Sequence, residues 1–164
     1  MPLQTAYFTS PLGSVRIVGD ESGIHAISCL DEPTPISSDP DLAAPIQACL
    51  QQLTDYFAGT RRSFDLPLTP AGTAFQQTVW QALLEVPYGK TLSYLTLARR
   101  LGDEKAIRAV AAANGRNPLW IVVPCHRIIG SNGSLTGYAG GLWRKKWLLE
   151  HERGEQQLSL NLGF

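Results

Sequence analysis

Over its first thirty residues the chain alternates apolar and polar positions in short stretches, broken by Pro11-Leu12-Gly13 and Gly19-Asp20. Period-2 stretches bounded by turn residues predict β-strands over 5–8, 14–18 and 24–30, with a fourth expected over 63–66. The period then changes. Leu42, Ile46, Leu50, Leu53 and Phe57 recur at helical spacing, with Asp39 or Asp41 as the expected N-cap and Gly59 as the stop. Pro67, Pro70 and Gly72 interrupt the chain soon after, so residues 1–70 are expected to form a small α/β N-terminal domain.

Beyond that boundary the pattern is mainly helical. Thr73-Ala74-Phe75-Gln76 is a capping box opening a helix whose apolar face includes Val79, Trp80, Leu83 and Leu84, and Pro87-Tyr88-Gly89 ends it. Ser93 is placed to cap a helix over 94–101, Gly102-Asp103 to make a tight turn, and residues 104–113 to form a helix ending at Asn114-Gly115. The spacing is that of a helix-turn-helix, which by itself is equally the signature of two packed helices with no nucleic-acid role. Residues 71–154 thus read as one mainly α domain and 155–164 as a C-terminal tail.

Composition is that of an ordinary globular protein of 164 residues, and the net charge is zero. That zero hides an asymmetry: residues 1–70 carry 3 Lys/Arg against 8 Asp/Glu, whereas residues 71–154 carry 11 against 5. A basic half is the electrostatic footprint of a phosphate-backbone binder, although basic helix faces are often only solvated. No apolar run approaches membrane-spanning length and the first residues carry no secretory pattern, which makes the cytoplasm the expected compartment. Cys29, Cys49 and Cys125 are an odd number without CxxC spacing, which argues against a disulfide framework. His25 and Cys29, on one face of a strand, lie roughly 13 Å apart, too far to share a zinc ion, so no metal is expected. Asp20, Glu21, Asp31 and Glu32 read as solvated turn residues.

The candidate chemistry sits at Pro124-Cys125-His126-Arg127, directly behind the apolar run 119–123. A thiol reacts as its thiolate and needs a neighbour that lowers its pKa, for which His126 is the obvious candidate. Adjacent residues of an extended strand point to opposite faces, so Cys125 and His126 cooperate only if the chain turns there, which Pro124 favours. Taken alone, a cysteine flanked by valine and isoleucine is as readily a small core residue.

Several segments together resemble the O6-alkylguanine-DNA alkyltransferases, or methylated-DNA-protein-cysteine methyltransferases. They are Arg108-Ala109-Val110, Asn117-Pro118, Ile121-Val122-Val123-Pro124-Cys125-His126-Arg127, Gly137-Tyr138-Ala139-Gly140-Gly141-Leu142 and Trp147-Leu148-Leu149-Glu150-His151-Glu152, with Thr9-Ser10-Pro11-Leu12-Gly13 nearer the N-terminus. The resemblance covers nearly the whole chain. It implies a ribonuclease-H-like α/β N-terminal lobe and a mainly α C-terminal lobe whose helix-turn-helix enters the minor groove of double-stranded DNA, with the alkylated guanine flipped out. Some such proteins hold an N-terminal zinc, but here Asp20 stands where a cysteine ligand would align.

By the same resemblance Cys125 is the nucleophile, activated through a water by His126, which Glu152 orients, and Tyr94 donates a proton or hydrogen bond to guanine N3. Arg108, the lone arginine on an alanine-rich helix, takes the place of the extruded nucleotide. The carbonyls of Cys125 and Ile128 accept from the exocyclic amine, Tyr138 and the N–H of Ala139 address the O6 side, Asn117 ties the turn, Asn114 and Trp120 flank the pocket, and Lys145 adds positive charge. Transfer leaves a thioether, so the protein acts once, without a cofactor; a monomer is expected, and the sequence leaves open whether copies cluster on DNA and whether O4-alkylthymine is also a substrate. The rival readings are a Cys-His-Glu hydrolase, whose thioester would turn over, and a non-catalytic helix-turn-helix regulator.

Overall fold

Residues 2–36 and 39–154 are described by the structure, a computed structural model. The tail at 155–164 lies outside the described residues. The chain divides into two units. The first runs to Gly72 and takes in Pro118–Val122, and the second holds Thr73–Asn117 and the chain from Val123 onward.

In the first unit, β1 (Gln4–Ser10), β2 (Gly13–Asp20) and β3 (Gly23–Leu30) form an antiparallel meander with β2 in the centre. Register aligns Ala6, Ile17 and Ile27 across the sheet, and Phe8 with Val15 and Cys29, so the period-2 pattern lands on one buried face. Helix α1 (Ala44–Phe57) lays Ile46, Cys49, Leu53 and Tyr56 within the same apolar core.

Three expectations fail here for local reasons. Neither Asp39 nor Asp41 caps α1. The N-cap is Ala43, whose N–H donates to Gln4 Oε1 at 2.7 Å, and a proline in the first turn removes one orphan donor. Asp39 instead accepts from the N–H of Asp41. Residues 63–66 form no strand, because the backbone of Asp65 is tied to the side chain of Gln52 at 2.9 and 3.0 Å, and only Leu68 bridges to Ile24. Asp20 is not a solvated turn residue. It is buried at the end of β2, where hydrogen bonds from Ser22, ahead of the neighbouring His25, hold its carboxyl down at about 2. His25 meets Asp20 through Nε2 at 3.1 Å and Thr69 through Nδ1 at 3.1 Å.

The second unit is built from α2 (Ala74–Leu83), α3 (Tyr94–Arg100), α4 (Ile107–Gly115) and α5 (Leu142–Arg153). A two-residue parallel pair, β4 (Leu92–Ser93) with β5 (Ile128–Ile129), adds to them. The capping box forms as the sequence predicts, Thr73 and Gln76 exchanging bonds at 3.1 and 2.9 Å. Ser93 caps α3 through the N–H of Thr96 at 3.0 Å. Gly102, at φ 94, makes the turn that only glycine takes without strain, and α3 and α4 then form the helix-turn-helix. The second helix starts later than the spacing suggested. Asp103 caps a single 3-10 turn at Glu104–Ala106 before α4 begins. Val79, Trp80, Leu83, Leu97, Val110, Ala113, Leu148 and Leu149 form the core, and Trp80 Nε1 donates to Ala113 O at 2.9 Å. Among the described residues no helix is long and apolar enough to cross a membrane.

Candidate active site

The apolar run 119–123 is not a strand. Leu119 makes one bridge to Ile27, the N–H of Trp120 donates to Ile27 O at 3.2 Å, and the chain then turns. Prolines at 118 and 124 bracket the run, and Ile121 sits at φ 74, an outlier for a β-branched residue that costs of order 1–3 kcal/mol. Pro124 then leads into a single 3-10 turn, Cys125–Arg127, in which successive side chains are about 120° apart rather than on opposite faces. Asn117 braces this turn: its Nδ2 donates to Val123 O at 2.8 Å, and its side chain also lies against the Cys125 thiol.

The turn buries Cys125 and His126 and sets the imidazole against Glu152. Cys125 is 5% exposed and His126 is 0% exposed. His126 Nε2 lies 2.7 Å from Glu152 Oε2, on the last turn of α5. Glu152 also accepts from Arg127 Nε at 2.8 Å and Nη2 at 3.1 Å, while Arg127 Nη1 donates to Val86 O at 2.7 Å. Burial alone would raise the Glu152 carboxyl, but its pairing with His126 and Arg127 outweighs that and holds it well below the usual carboxylate range. An ionised carboxylate only accepts, so Nε2 carries the imidazole proton. Burial lowers the His126 pKa against the pull of Glu152, which leaves the ring neutral. Its buried Nδ1, with no hydrogen-bond partner among the described residues, is therefore a bare acceptor.

The thiol departs from the sequence-based expectation. Burial pushes Cys125 up to about 11, with Asn117 and then Lys145 opposing only part of the rise. At neutral pH the resting group is a protonated thiol beside a neutral base.

A second network faces the same turn. Lys145, fully buried on α5, donates to Ile128 O at 2.5 Å and Thr136 O at 2.9 Å and reaches the Tyr94 hydroxyl at 3.5 Å. Burial pulls its ammonium down to about 8. Tyr94 Oη donates to Thr136 O at 3.0 Å; burial raises this phenol, with Thr136 and Asn114 opposing. Asn114, in the last turn of α4, is 2% exposed and donates through Nδ2 to Cys125 O at 3.4 Å. Tyr94, Arg108, Tyr138 and Ala139 line a largely apolar cleft of about 610 Å³ together with residues of α4 and the 136–137 segment. Arg108 is exposed. Trp120 is not among the residues of the cleft wall; it belongs to the first unit.

Sequence reasoning gave Arg127 no role of its own in the site. It ties the triad carboxylate to the loop after α2, and the available signal was an arginine next to Ile128-Ile129, which burial obliges to pair. The basic face is also smaller than the count implied, because Arg127, Arg144 and Lys145 are buried.

A helix-turn-helix together with a buried thiol next in the chain to an imidazole paired with a carboxylate fits a DNA-binding protein with a cysteine nucleophile. The family model for the DNA-binding domain of 6-O-methylguanine DNA methyltransferase matches residues 74–154, and that for its ribonuclease-like domain matches residues 3–70. The methylated-DNA–protein-cysteine methyltransferase of Methanosarcina acetivorans is 46% identical over 151 residues, covering 90% of this chain and 96% of that one. The crystal structure of Mycobacterium tuberculosis O6-methylguanine methyltransferase superposes with a TM-score of 0.82 at 41% identity, covering 93% and 94% of the two chains. That of Mycobacterium tuberculosis OGT in complex with DNA gives 0.80 at 44% identity, covering 90% and 91%. The chain belongs to the O6-methylguanine-DNA methyltransferase family.

Proposed function

We propose that the protein repairs DNA by direct reversal, moving an alkyl group from guanine O6 to the sulfur of Cys125. The observation that carries this reading is the buried Cys125 followed in the same turn by His126, whose Nδ1 is bare and whose Nε2 is held 2.7 Å from the Glu152 carboxylate. The thiol gives its proton, through a water, to His126 Nδ1. Sγ then attacks the alkyl carbon, the S–C bond forms, the C–O6 bond breaks, and its electron pair goes to the purine. Tyr94 delivers a proton to guanine N3 and so neutralises the departing anion. A raised thiol pKa suits this order, because proton removal accompanies substrate engagement rather than preceding it. The product is a thioether with no hydrolytic exit, so each chain acts once.

Stacked guanine hides O6, so the base is extruded from the duplex along the minor groove into the Tyr94–Tyr138–Ala139 cleft. Arg108, exposed at the cleft edge on an alanine-rich helix, occupies the vacated stack. The exocyclic amine donates to Ile128 O, which already accepts from Lys145, and to Cys125 O, which already accepts from Asn114 and the N–H of Ile128 and so takes the amine as a shared acceptor. The protein works as a monomer in the cytoplasm. The test is incubation with duplex carrying a labelled O6-methylguanine, followed by intact mass and peptide mapping. One group per chain, on Cys125, is expected. Continued turnover, or label on Cys29 or Cys49, overturns the reading.

A further inference from the structure

Arg144 is 4% exposed in the first turn of α5, where the needs of the helix do not account for it. The orphan groups of a helix start are N–H donors and its dipole is positive there, so a guanidinium adds donors and charge to an end already rich in both. That turn holds no acidic residue. Core packing alone would favour an apolar side chain, because a buried cation is tolerated only when it is hydrogen-bonded or paired. The partner that Arg144 takes is the backbone ahead of the helix. Its Nη1 donates to Gly140 O at 3.0 Å, one residue before the cap Gly141. The exposed Trp143 sets its ring 4.6 Å from the guanidinium carbon, and the ring edge abuts Gly141, where a Cβ would stand 3.4 Å from Cδ1. The N–H of Gly141 donates to Tyr138 O at 2.9 Å and closes a tight turn over 138–141. Tyr138 and Ala139, carried by this turn, line the cleft.

Resting on the alkyl-transfer reading, we propose that Arg144 is a positioning residue that sets how firmly the cleft wall holds the O6 side of the flipped guanine, and with it the preference among alkyl groups. Through Gly140 O it pins the 138–141 turn, so that Tyr138 and the Ala139 N–H keep a fixed place against the base. Arg144 acts through the turn and takes no part in the bond changes at sulfur. A methyl group offers too little surface to hold guanine in register and depends on that wall. A benzyl group makes its own contacts with the apolar lining and depends on it less.

The experiment measures single-turnover transfer from duplexes carrying O6-methylguanine or O6-benzylguanine, for wild type, Arg144→Met, Arg144→Lys and Trp143→Ala, each checked by circular dichroism and thermal melting. Methionine keeps an unbranched apolar stem without donors, whereas lysine keeps a charged donor for Gly140 O but not the planar group beside the indole. Arg144→Met should slow methyl transfer about tenfold, the weight of one hydrogen bond from a charged donor, with benzyl transfer falling less than about threefold and iodoacetamide labelling of Cys125 staying within about twofold. Arg144→Lys should restore part of the methyl-to-benzyl rate ratio. Trp143→Ala, a surface change, should lower that ratio in the same direction by about threefold, since it frees the guanidinium from its stacked partner. Equal slowing of both substrates in folded Arg144→Met, or an unchanged ratio, makes Arg144 a brace of α5 alone and overturns the proposal. Should Arg144→Met not fold, an unchanged ratio in Arg144→Lys and Trp143→Ala overturns it equally. Wild type that transfers neither alkyl group to Cys125 would defeat the transfer reading itself, a different outcome.

Discussion

Replacing Glu152 by glutamine changes one oxygen for an NH2 group and keeps the volume, so its effects isolate charge and proton direction. The amide oxygen can still accept from Arg127, and Val86 O holds another guanidinium N–H at 2.7 Å, but the buried cation loses its counter-charge. Breaking a buried pair costs about 3–5 kcal/mol, and the two surviving bonds place Glu152→Gln near the lower end. The larger effect is on the imidazole. An NH2 group facing Nε2 donates to it, which drives the ring proton to Nδ1 and leaves no acceptor toward the thiol. A wrong tautomer of this kind lowers a triad's rate by about 10⁴-fold in serine proteases, and a loss of at least 10³-fold in single-turnover alkyl transfer is expected here. The stability loss also has a sign in pH. The folded Glu152 carboxyl is depressed, so its contribution is present above the unfolded pKa of about 4.3 and fades as pH falls below it. The melting-temperature gap between wild type and Glu152→Gln should therefore be full at pH 7 and narrower at pH 3.5. Transfer within tenfold of wild type in the folded variant would refute the tautomer argument, and a gap independent of pH would refute the ionised carboxylate.

Three further outcomes are expected. With its thiol held at about 11, Cys125 should react with iodoacetamide more than tenfold more slowly at pH 7 than a free cysteine of pKa about 8.5, and its rate should still be climbing at pH 10; a plateau near pH 8 in the rate profile would contradict burial as the controlling cause. Arg108→Ala should depress repair of duplex O6-methylguanine strongly yet spare the rate with free O6-benzylguanine, which has nothing to extrude; comparable losses in the two assays would remove the flipping role. Trp80→Phe should destabilise the second unit by about 1–3 kcal/mol, read from the urea midpoint, since it deletes the buried bond to Ala113 O and leaves a small void; an unchanged midpoint would show that bond to be dispensable.

The period of the hydrophobic pattern was enough to locate β1, β2, β3, α1 and α2, and the Thr73 and Ser93 caps were legible because a cap is a local bond between residues three apart. The Pro124-Cys125-His126-Arg127 run and its companions likewise singled out the thiol, the imidazole and the family from sequence. Elements that depend on distant partners were not legible. Residues 63–66 look like a strand until Gln52 takes the Asp65 backbone, and 119–123 look like one until Ile121 turns left-handed between two prolines. Asp20 looks solvated until the fold places Ser22 and His25 around it. In the site, sequence names Cys125, His126 and Glu152 but not the proton's direction between them. That direction, the raised thiol, the pairing of Arg127 with Glu152 and the bond of Asn114 to Cys125 O arise from burial and from groups far apart in the chain. Both quantities exist only once the helices have packed, because desolvation and hydrogen-bond direction are set by what surrounds a group rather than by its neighbours in sequence.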